Sequence, residues 1–402
     1  MCTLPHRAPV MPLRNAPSAT KAKIVNIAQR LRGRIPPLTE HGPASEALAA
    51  RLRATLGERQ STNDSTVAWV PAKGLQWQTT TLELRRGDTV TLIANGVVHM
   101  LRALRVSLGP HACCWYRIGD GTIQRAPADA HTFTADTDGP LRLAAAPPGA
   151  FSDLAGNIEP SPLNRFTSGG LTVAAIRWRE DAEQQLAAAS RQDPALFEGA
   201  RQRLESPVRK PEGWHYLWRL GEGELYESRA AEDGRCEICC QTRGDVGILQ
   251  YPTDQPLSAA TRLQWSWRAD QLPSEQDEHI DLTHDYLSIA VEFDNGLDLT
   301  YMWSASLPHD TVFQCPLPWW KERETHWVIR RAGDDPLHTW LDESRNVAED
   351  YDVAIGGPRP ERIVGIWLIA NSLFQRGVGA CAYRAIRLCD EDRILEDVTK
   401  PR

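Results

Sequence analysis

From Val67 onward the chain alternates apolar and polar residues with a period of two, the pattern of strands that bury one face. In "TTLELRRGDTVTLIANGVV", Leu82 and Leu84 precede, and Val90, Leu92 and Ala94 follow, a turn at "RRGD" where Gly87 suits a hairpin. "WYRIGDGTIQ", "HTFTAD" and "GPLRLAAA" continue as short strands separated by Gly, Asp and Pro, and "GGLTVAAIRW" closes the series. The pattern predicts one all-β domain over 65–178.

The period then changes. "REDAEQQLAAASRQDPALFEGARQRLES" predicts two helices broken at Asp193-Pro194, because the residue before a proline is pushed out of the helical region. Earlier, "ASEALAARLRATLGERQ" has the leucine and alanine spacing of an accessory helix within a Pro-, Arg- and Ala-rich arm, 1–64. After "PVRKPEGW" the strands return: "RCEICCQT", "TRLQWSWRAD", "YLSIAVEF", "LDLTYMWS", "THWVIRR", "RIVGIWLIAN" and "CAYRAIRLC". Long turns between them and no further helical period predict a second antiparallel sandwich, a jelly roll. The expected fold class is therefore all-β: two antiparallel β-sandwich domains at 65–178 and 209–402, with a helical arm at 1–64 and a helical connector at 179–208.

Within "YLSIAVEF", Leu287, Ile289, Val291 and Phe293 share one face and Tyr286, Ser288, Ala290 and Glu292 the other. Small residues among polar ones suit the floor of a cleft. The strand ends at the turn Asp294-Asn295-Gly296, whose most economical reading is turn chemistry.

The 402 residues carry a net charge of −7, which argues against nucleic acid as a partner. No run of 18 apolar residues and no apolar segment before a small-residue cleavage site is present, so no membrane partner is expected and the chain is expected to be cytoplasmic. Nine cysteines, an odd number, read as reduced thiols. "CEICC" holds a C-x-x-C, but a strand sends Cys236 and Cys239 to opposite faces and no second pair follows at zinc spacing, while Cys113-Cys114 read as small buried groups. No metal and no cofactor are expected. "GDGTIQ" and "RRGDTV" lack the Lys-Ser/Thr of a phosphate loop, and neither G-x-S-x-G nor H-E-x-x-H occurs.

Residues 116–157, preceded by "LELRRGDTVTLIANG" and "LGP", resemble the galactose-binding lectin module of the PA-IL type, with its "GD" hairpin, "IG" turn and glycine-led strand in the same order. In that family the following loop supplies carboxylate, hydroxyl and amide oxygens to calcium and sugar. Here the loop reads "AAPPGAFSDLAGN", with Ala146, Ala150 and Leu154 at oxygen-bearing positions and only Asp153 keeping one. The resemblance thus implies the scaffold, and this loop implies a scaffold without the site. The second half, through "GWHYLWRLG", "GDVGILQYP", "THDYLSIAVEFDNGLDLTYMWS" and "RIVGIWLIANSLFQRG", resembles an uncharacterised family of bacterial jelly-roll domains, which implies fold and no chemistry.

Candidate chemistry centres on the polar face of the second sandwich. Glu292 and Asp294 form a possible carboxylate pair; the pattern is reminiscent of laminarinase-type glucanases but has Leu297 where those need a third acid. His284 with Asp285 could act as an oriented base, and His284 with Tyr286 as a lyase pair, with Arg268 or Asn371 neutralising a uronate. Trp265, Trp267 and Trp303 alternate as core residues do, whereas Trp319 and Trp320 lie in a Pro-rich loop where a sugar ring could stack. The reading best supported by sequence is non-catalytic binding of a carbohydrate, a carbohydrate-like ligand or a small polar ligand, with His284, Tyr286, Glu292, Trp303, Asn371, Gln375 and Arg376 as binding candidates. An enzyme using the same face, a polysaccharide lyase or a glycoside hydrolase, and a structural interaction module are the alternatives.

Overall fold

The computed structural model describes residues 45–57, 64–101, 106–179, 181–231, 234–279, 285–316, 320–391 and 393–399. The described residues fall into two compact units, one holding 45–209 and 216–224, the other 210–215 and 225–399. Both are built mainly from β-sheets, as the alternation requires.

The first unit has nine strands: β1 (Ser65–Pro71), β2 (Gln78–Leu84), β3 (Thr89–Leu101), β4 (Val106–Leu108), β5 (Cys114–Ile118), β6 (Gln124–Arg125), β7 (Ala130–Thr134), β8 (Gly139–Ala145) and β9 (Ser168–Trp178). One sheet runs β1-β9-β3-β4 with β7 also on β3; the other runs β2-β8-β5-β6. Every pairing is antiparallel, and β2 shows the expected alternation, burying Thr80, Leu82 and Leu84. The helices Ala182–Gln192 and Pro194–Glu205 do break at Asp193-Pro194. Together with the helix Ser45–Leu56 they cover the β9 side: Leu48, Leu52, Leu186, Phe197 and Ala200 pack with Ile93, Ile176 and Trp178 in one core. Arg51 fixes this corner with two hydrogen bonds, both 2.6 Å, to the Asp193 carboxylate. The helical segment is thus part of the first unit's core.

The remaining two sheets hold thirteen strands: β10 (His215–Tyr216), β11 (Tyr226–Ala230), β12 (Cys236–Arg243), β13 (Val246–Pro256), β14 (Thr261–Gln271), β15 (Tyr286–Phe293), β16 (Asp298–Ser304), β17 (Val312–Gln314), β18 (Glu324–Arg331), β19 (Leu341–Asn346), β20 (Arg362–Asn371), β21 (Val378–Asp390) and β22 (Arg393–Asp397), all but β10 lying wholly in the second unit. A seven-stranded sheet runs β10-β13-β20-β15-β16-β18-β17, and a six-stranded sheet runs β11-β12-β21-β14-β19 with β22 on β21. The layer between them is aromatic. Trp265 meets Tyr301 at 5.5 Å between ring centroids, and Trp267 meets Trp303 at 5.3 Å. At its margin the Arg345 guanidinium makes two hydrogen bonds to Asp350, each 2.7 Å, and Tyr301 donates to the same carboxylate.

Two features depart from a plain antiparallel sandwich with one wet face. The β16–β18 pair is parallel, because β17 takes the outer edge before the chain returns as β18 between β17 and β16. In addition β16 is buried along its whole length and β15 nearly so, on both faces. The Tyr286, Ser288, Ala290 side of β15 is therefore covered rather than an open floor. Glu278 belongs to that cover, accepting hydrogen bonds from Ser304 Oγ at 2.7 Å and Ala305 N at 2.8 Å.

In the first unit the His131 ring stacks near Phe133, with Nε2 3.3 Å from the Tyr116 hydroxyl. Burial, aided by the Arg203 charge, pushes its pKa below the usual 6.5 to about 4. A histidine depressed in the folded state contributes stability that is complete above 6.5 and is lost as pH falls toward 4. Lowering the pH from 7.5 to 4.5 should cost about 1–2 kcal/mol through this half-buried ring, allowing for solvent screening. The check is the difference in melting temperature between those pH values, which should shrink in His131→Phe relative to the unsubstituted protein; an unchanged difference would refute the assignment.

Candidate functional site

Hairpin geometry places the first two acids. β15 and β16 are joined through Asp294-Asn295-Gly296, with Phe293 N donating to Leu297 O, so Glu292 stands opposite Asp298. The parallel register of β16 and β18 then sets Asp298 beside Glu324. Three carboxylates occupy one row across three neighbouring strands.

Arg323, at the end of the turn that opens β18, meets this row. Its Nη2 donates to Glu292 Oε1 at 2.6 Å and its Nε to Asp298 Oδ2 at 3.0 Å. The guanidinium lies 4.5 Å from the centre of the Trp367 ring and 5.5 Å from that of Trp320. Trp367 completes the group by donating Nε1–H to Glu292 Oε2 at 3.0 Å. Gly365 makes room for it: a Cβ there would sit 2.9 Å from Glu292 Oε2 and 3.1 Å from Trp367 Nε1. This end reaches solvent, with the Arg323 and Glu292 side chains 31% and 22% exposed, whereas Asp298 is only 1% exposed.

The other part of the row is dry. Tyr286 donates its hydroxyl to Glu324 Oε1 at 3.1 Å, and Thr300 reaches the same oxygen at 3.3 Å. The His326 ring, fully buried, lies edge-on to Tyr286 at 5.1 Å and flat against Phe313 at 4.8 Å. Burial, and then the Glu324 charge, raise the Tyr286 phenol well above its usual range. Burial, and then Glu324, likewise raise the Asp298 carboxyl well above the ordinary carboxylate value, against the pull of Arg323. At the solvent end the arrangement offers the Glu292 carboxylate, one anchored cation and the half-buried Trp320 indole, with Trp367 buried beneath the guanidinium.

The residues singled out from the sequence fall into separate places. Glu292 belongs to the Arg323 cluster and Tyr286 to the buried Glu324–His326 cluster. Asn371 is the cross-strand neighbour of Tyr286 and uses Oδ1 to accept from Leu373 N at 3.0 Å. Gln375 donates its backbone N–H to Asp285 Oδ2 at 3.1 Å, and Arg376, half-buried, follows it with a positive φ of 59°. Trp303 is on the opposite face of β16, in the aromatic core against Trp267. His284 and Trp319 lie outside the described residues. Asp294 is an exposed turn residue, so the carboxylate facing Glu292 is Asp298. Arg268 pairs with Asp270 on the other sheet. In the first unit the one remaining loop oxygen is used internally: Asp153 accepts from Asn157 N and Nδ2 at 3.1 and 2.6 Å, and Ala146 and Ala150 are buried around Trp115 and Phe151.

Asp298, Arg323, Glu324, His326, Cys315 and Trp367 did not emerge from the sequence. Asp298 could have: the turn at 294–296 fixes its pairing with Glu292 by counting outward. The others reach the row through pairings distant in sequence.

The family model described as "Protein of unknown function (DUF3047)" matches residues 220–387. None of the curated proteins matches the chain. Among solved structures the chain is similar to the N-terminal domain of EclA, a PllA-like lectin, with 15% identity, 29% of this chain and 100% of that one covered, and a TM-score of 0.24. It is similar to the xyloglucanase domain of a type three effector from Sinorhizobium fredii in complex with cellobiose, with 6% identity, 45% and 97% covered, and a TM-score of 0.27. It is also similar to the family 11 carbohydrate-binding module of a cellulosomal cellulase of Clostridium thermocellum, with 11% identity, 44% and 84% covered, and a TM-score of 0.22.

Among the described residues Arg323 is the one guanidinium bonded to both Glu292 and Asp298, and removing it would leave two acids facing each other. Arg323→Met is expected to destabilise the protein by about 2–4 kcal/mol at pH 7, and adding Asp298→Asn should recover part of it. Urea unfolding of the two single variants and the double variant measures the coupling; additive effects would show that Arg323 and Asp298 do not act together.

Proposed function

We propose that the second unit binds a neutral or amino-bearing carbohydrate, or a polyhydroxylated ligand like one, at the Arg323–Glu292–Trp320 end of the seven-stranded sheet. The observation that carries this reading is the pairing of the Glu292 carboxylate with the half-buried Trp320 indole, both beside Arg323, at the point where a buried polar row reaches solvent. A pyranose presents hydroxyl donors at its rim and C–H groups on its face. Carboxylate oxygens accept hydrogen bonds from the former, and the half-buried Trp320 ring can stack on the latter. A polyuronate fits poorly, since three acids meet one arginine in this row.

The same geometry favours binding over hydrolysis. Glu292 and Asp298 differ in burial, as an acid and its partner do in glycosidases. Yet the Arg323 guanidinium lies between them, bonded to both, in the space a scissile oxygen would need.

A glycan array of neutral, amino and uronic sugars, followed by titration calorimetry on any hit, tests the reading. Neutral or amino sugars are expected to bind, with Trp320→Ala and Glu292→Gln each raising Kd about tenfold, equivalent to 1.4 kcal/mol. Binding of uronates alone, or hits that both variants leave unchanged, would overturn it, as would an array with no hit. Release of reducing sugar from a bound glycan would instead establish the hydrolase.

A further inference from the structure

β17 and β18 run antiparallel, with Phe313 opposite His326 and Gln314 opposite Thr325. One residue further, Cys315 N donates to Glu324 O at 2.9 Å, so Cys315 faces Glu324 across the ladder. Glu324 and His326 are two residues apart on one strand and share a face. Two short segments thus project a thiol, a carboxylate and an imidazole together. One donor atom from each, Cys315 Sγ, a Glu324 oxygen and a His326 ring nitrogen, lies within 4.8 Å of the other two, and all three side chains are buried.

The spacing suits a small ion. Metal bonds of about 2.0–2.3 Å in tetrahedral geometry set neighbouring donors about 3.3–3.6 Å apart. His326 Nε2 and Glu324 Oε1 are 3.3 Å apart, already that separation. The donor set is also selective: thiolate and imidazole are ligands of zinc-like transition metals, while magnesium and calcium take oxygen. Supporting contacts surround it. Tyr286 and Thr300 hydroxyls hold Glu324 Oε1, and the parallel Phe313 ring fixes the plane of His326. The charge of the neighbourhood points the same way, with Glu292, Asp298 and Glu324 in one row against the Arg323 guanidinium.

We propose that Cys315, Glu324 and His326 bind a zinc-type divalent transition metal, with the fourth position of a tetrahedral shell left to another ligand. The sequence hid this site because its cysteine is nine residues from the nearest other donor and belongs to no C-x-x-C. The proposal stands apart from the glycan reading, whose variants at Trp320 and Glu292 do not touch these donors.

The full chain, stripped with chelator, is titrated with cobalt(II) and then zinc(II). The expected result is one ion per chain, a thiolate-to-cobalt charge-transfer band with tetrahedral d–d bands, and loss of all of them when zinc displaces cobalt. This spectrum reports sulfur ligation in the unsubstituted protein, so it does not depend on any variant folding. Cys315→Ser should abolish the charge-transfer band, and His326→Gln should weaken zinc binding at least tenfold, both with unchanged circular dichroism. Cys236→Ser, on a different sheet, should change nothing. No stoichiometric cobalt binding, a spectrum without the sulfur band, or a band lost in Cys236→Ser and kept in Cys315→Ser would each overturn the proposal.

Discussion

Like charges on neighbouring strands repel, and the seven-stranded sheet sets three carboxylates side by side. The registers that do so, Glu292 opposite Asp298 and Asp298 beside Glu324, are the registers that also bury Leu287, Ile289 and Val291 against the second sheet. A slip of one residue would remove the acid row and would turn the apolar set out of the core. Packing therefore holds the acids together, and Arg323 makes the arrangement tolerable. Its two bonds, its seat on Trp367 and the space left by Gly365 are parts of one solution to that repulsion.

What the sequence made legible follows the range of the interactions. The strand over Tyr286–Phe293, the hairpin at Asp294-Asn295-Gly296 and the break at Asp193-Pro194 are local, and each is found. Glu292 was singled out on a local argument too, from its side of the strand. Its partners Arg323 and Trp367 were not, because β18 reaches β16 in parallel and β20 reaches β15 from seventy or more residues away. Nor does a period of two say which face is dry. The polar side of β15 read as the floor of a cleft, and Tyr286 is in fact enclosed with Glu324 and His326.

The two units treat a polar loop in opposite ways. In the first, the segment that resembles a lectin's ligand loop has given its positions to packing: Ala146 and Ala150 lie with Trp115 and Phe151, and Asp153 spends its oxygens on Asn157. In the second, acids are retained inside the fold at the expense of desolvation, and burial, then the Glu324 charge, raise the Asp298 carboxyl and the Tyr286 phenol above their usual ranges. Groups kept at such a cost, with one end of the row open to water, are where a ligand has something to bind.

The central position of β20 bears on how the protein is made. Residues Arg362–Asn371 lie between β13 and β15, strands synthesised long before them. On the ribosome, at about 5–20 residues per second, these two strands wait several seconds with unpaired edges until their shared neighbour emerges. The second unit cannot close its sheet strand by strand as it leaves the tunnel. The β13–β20 and β15–β20 ladders wait for Asn371, whereas β15, β16 and β18, which carry the acid row, are all synthesised by Arg331.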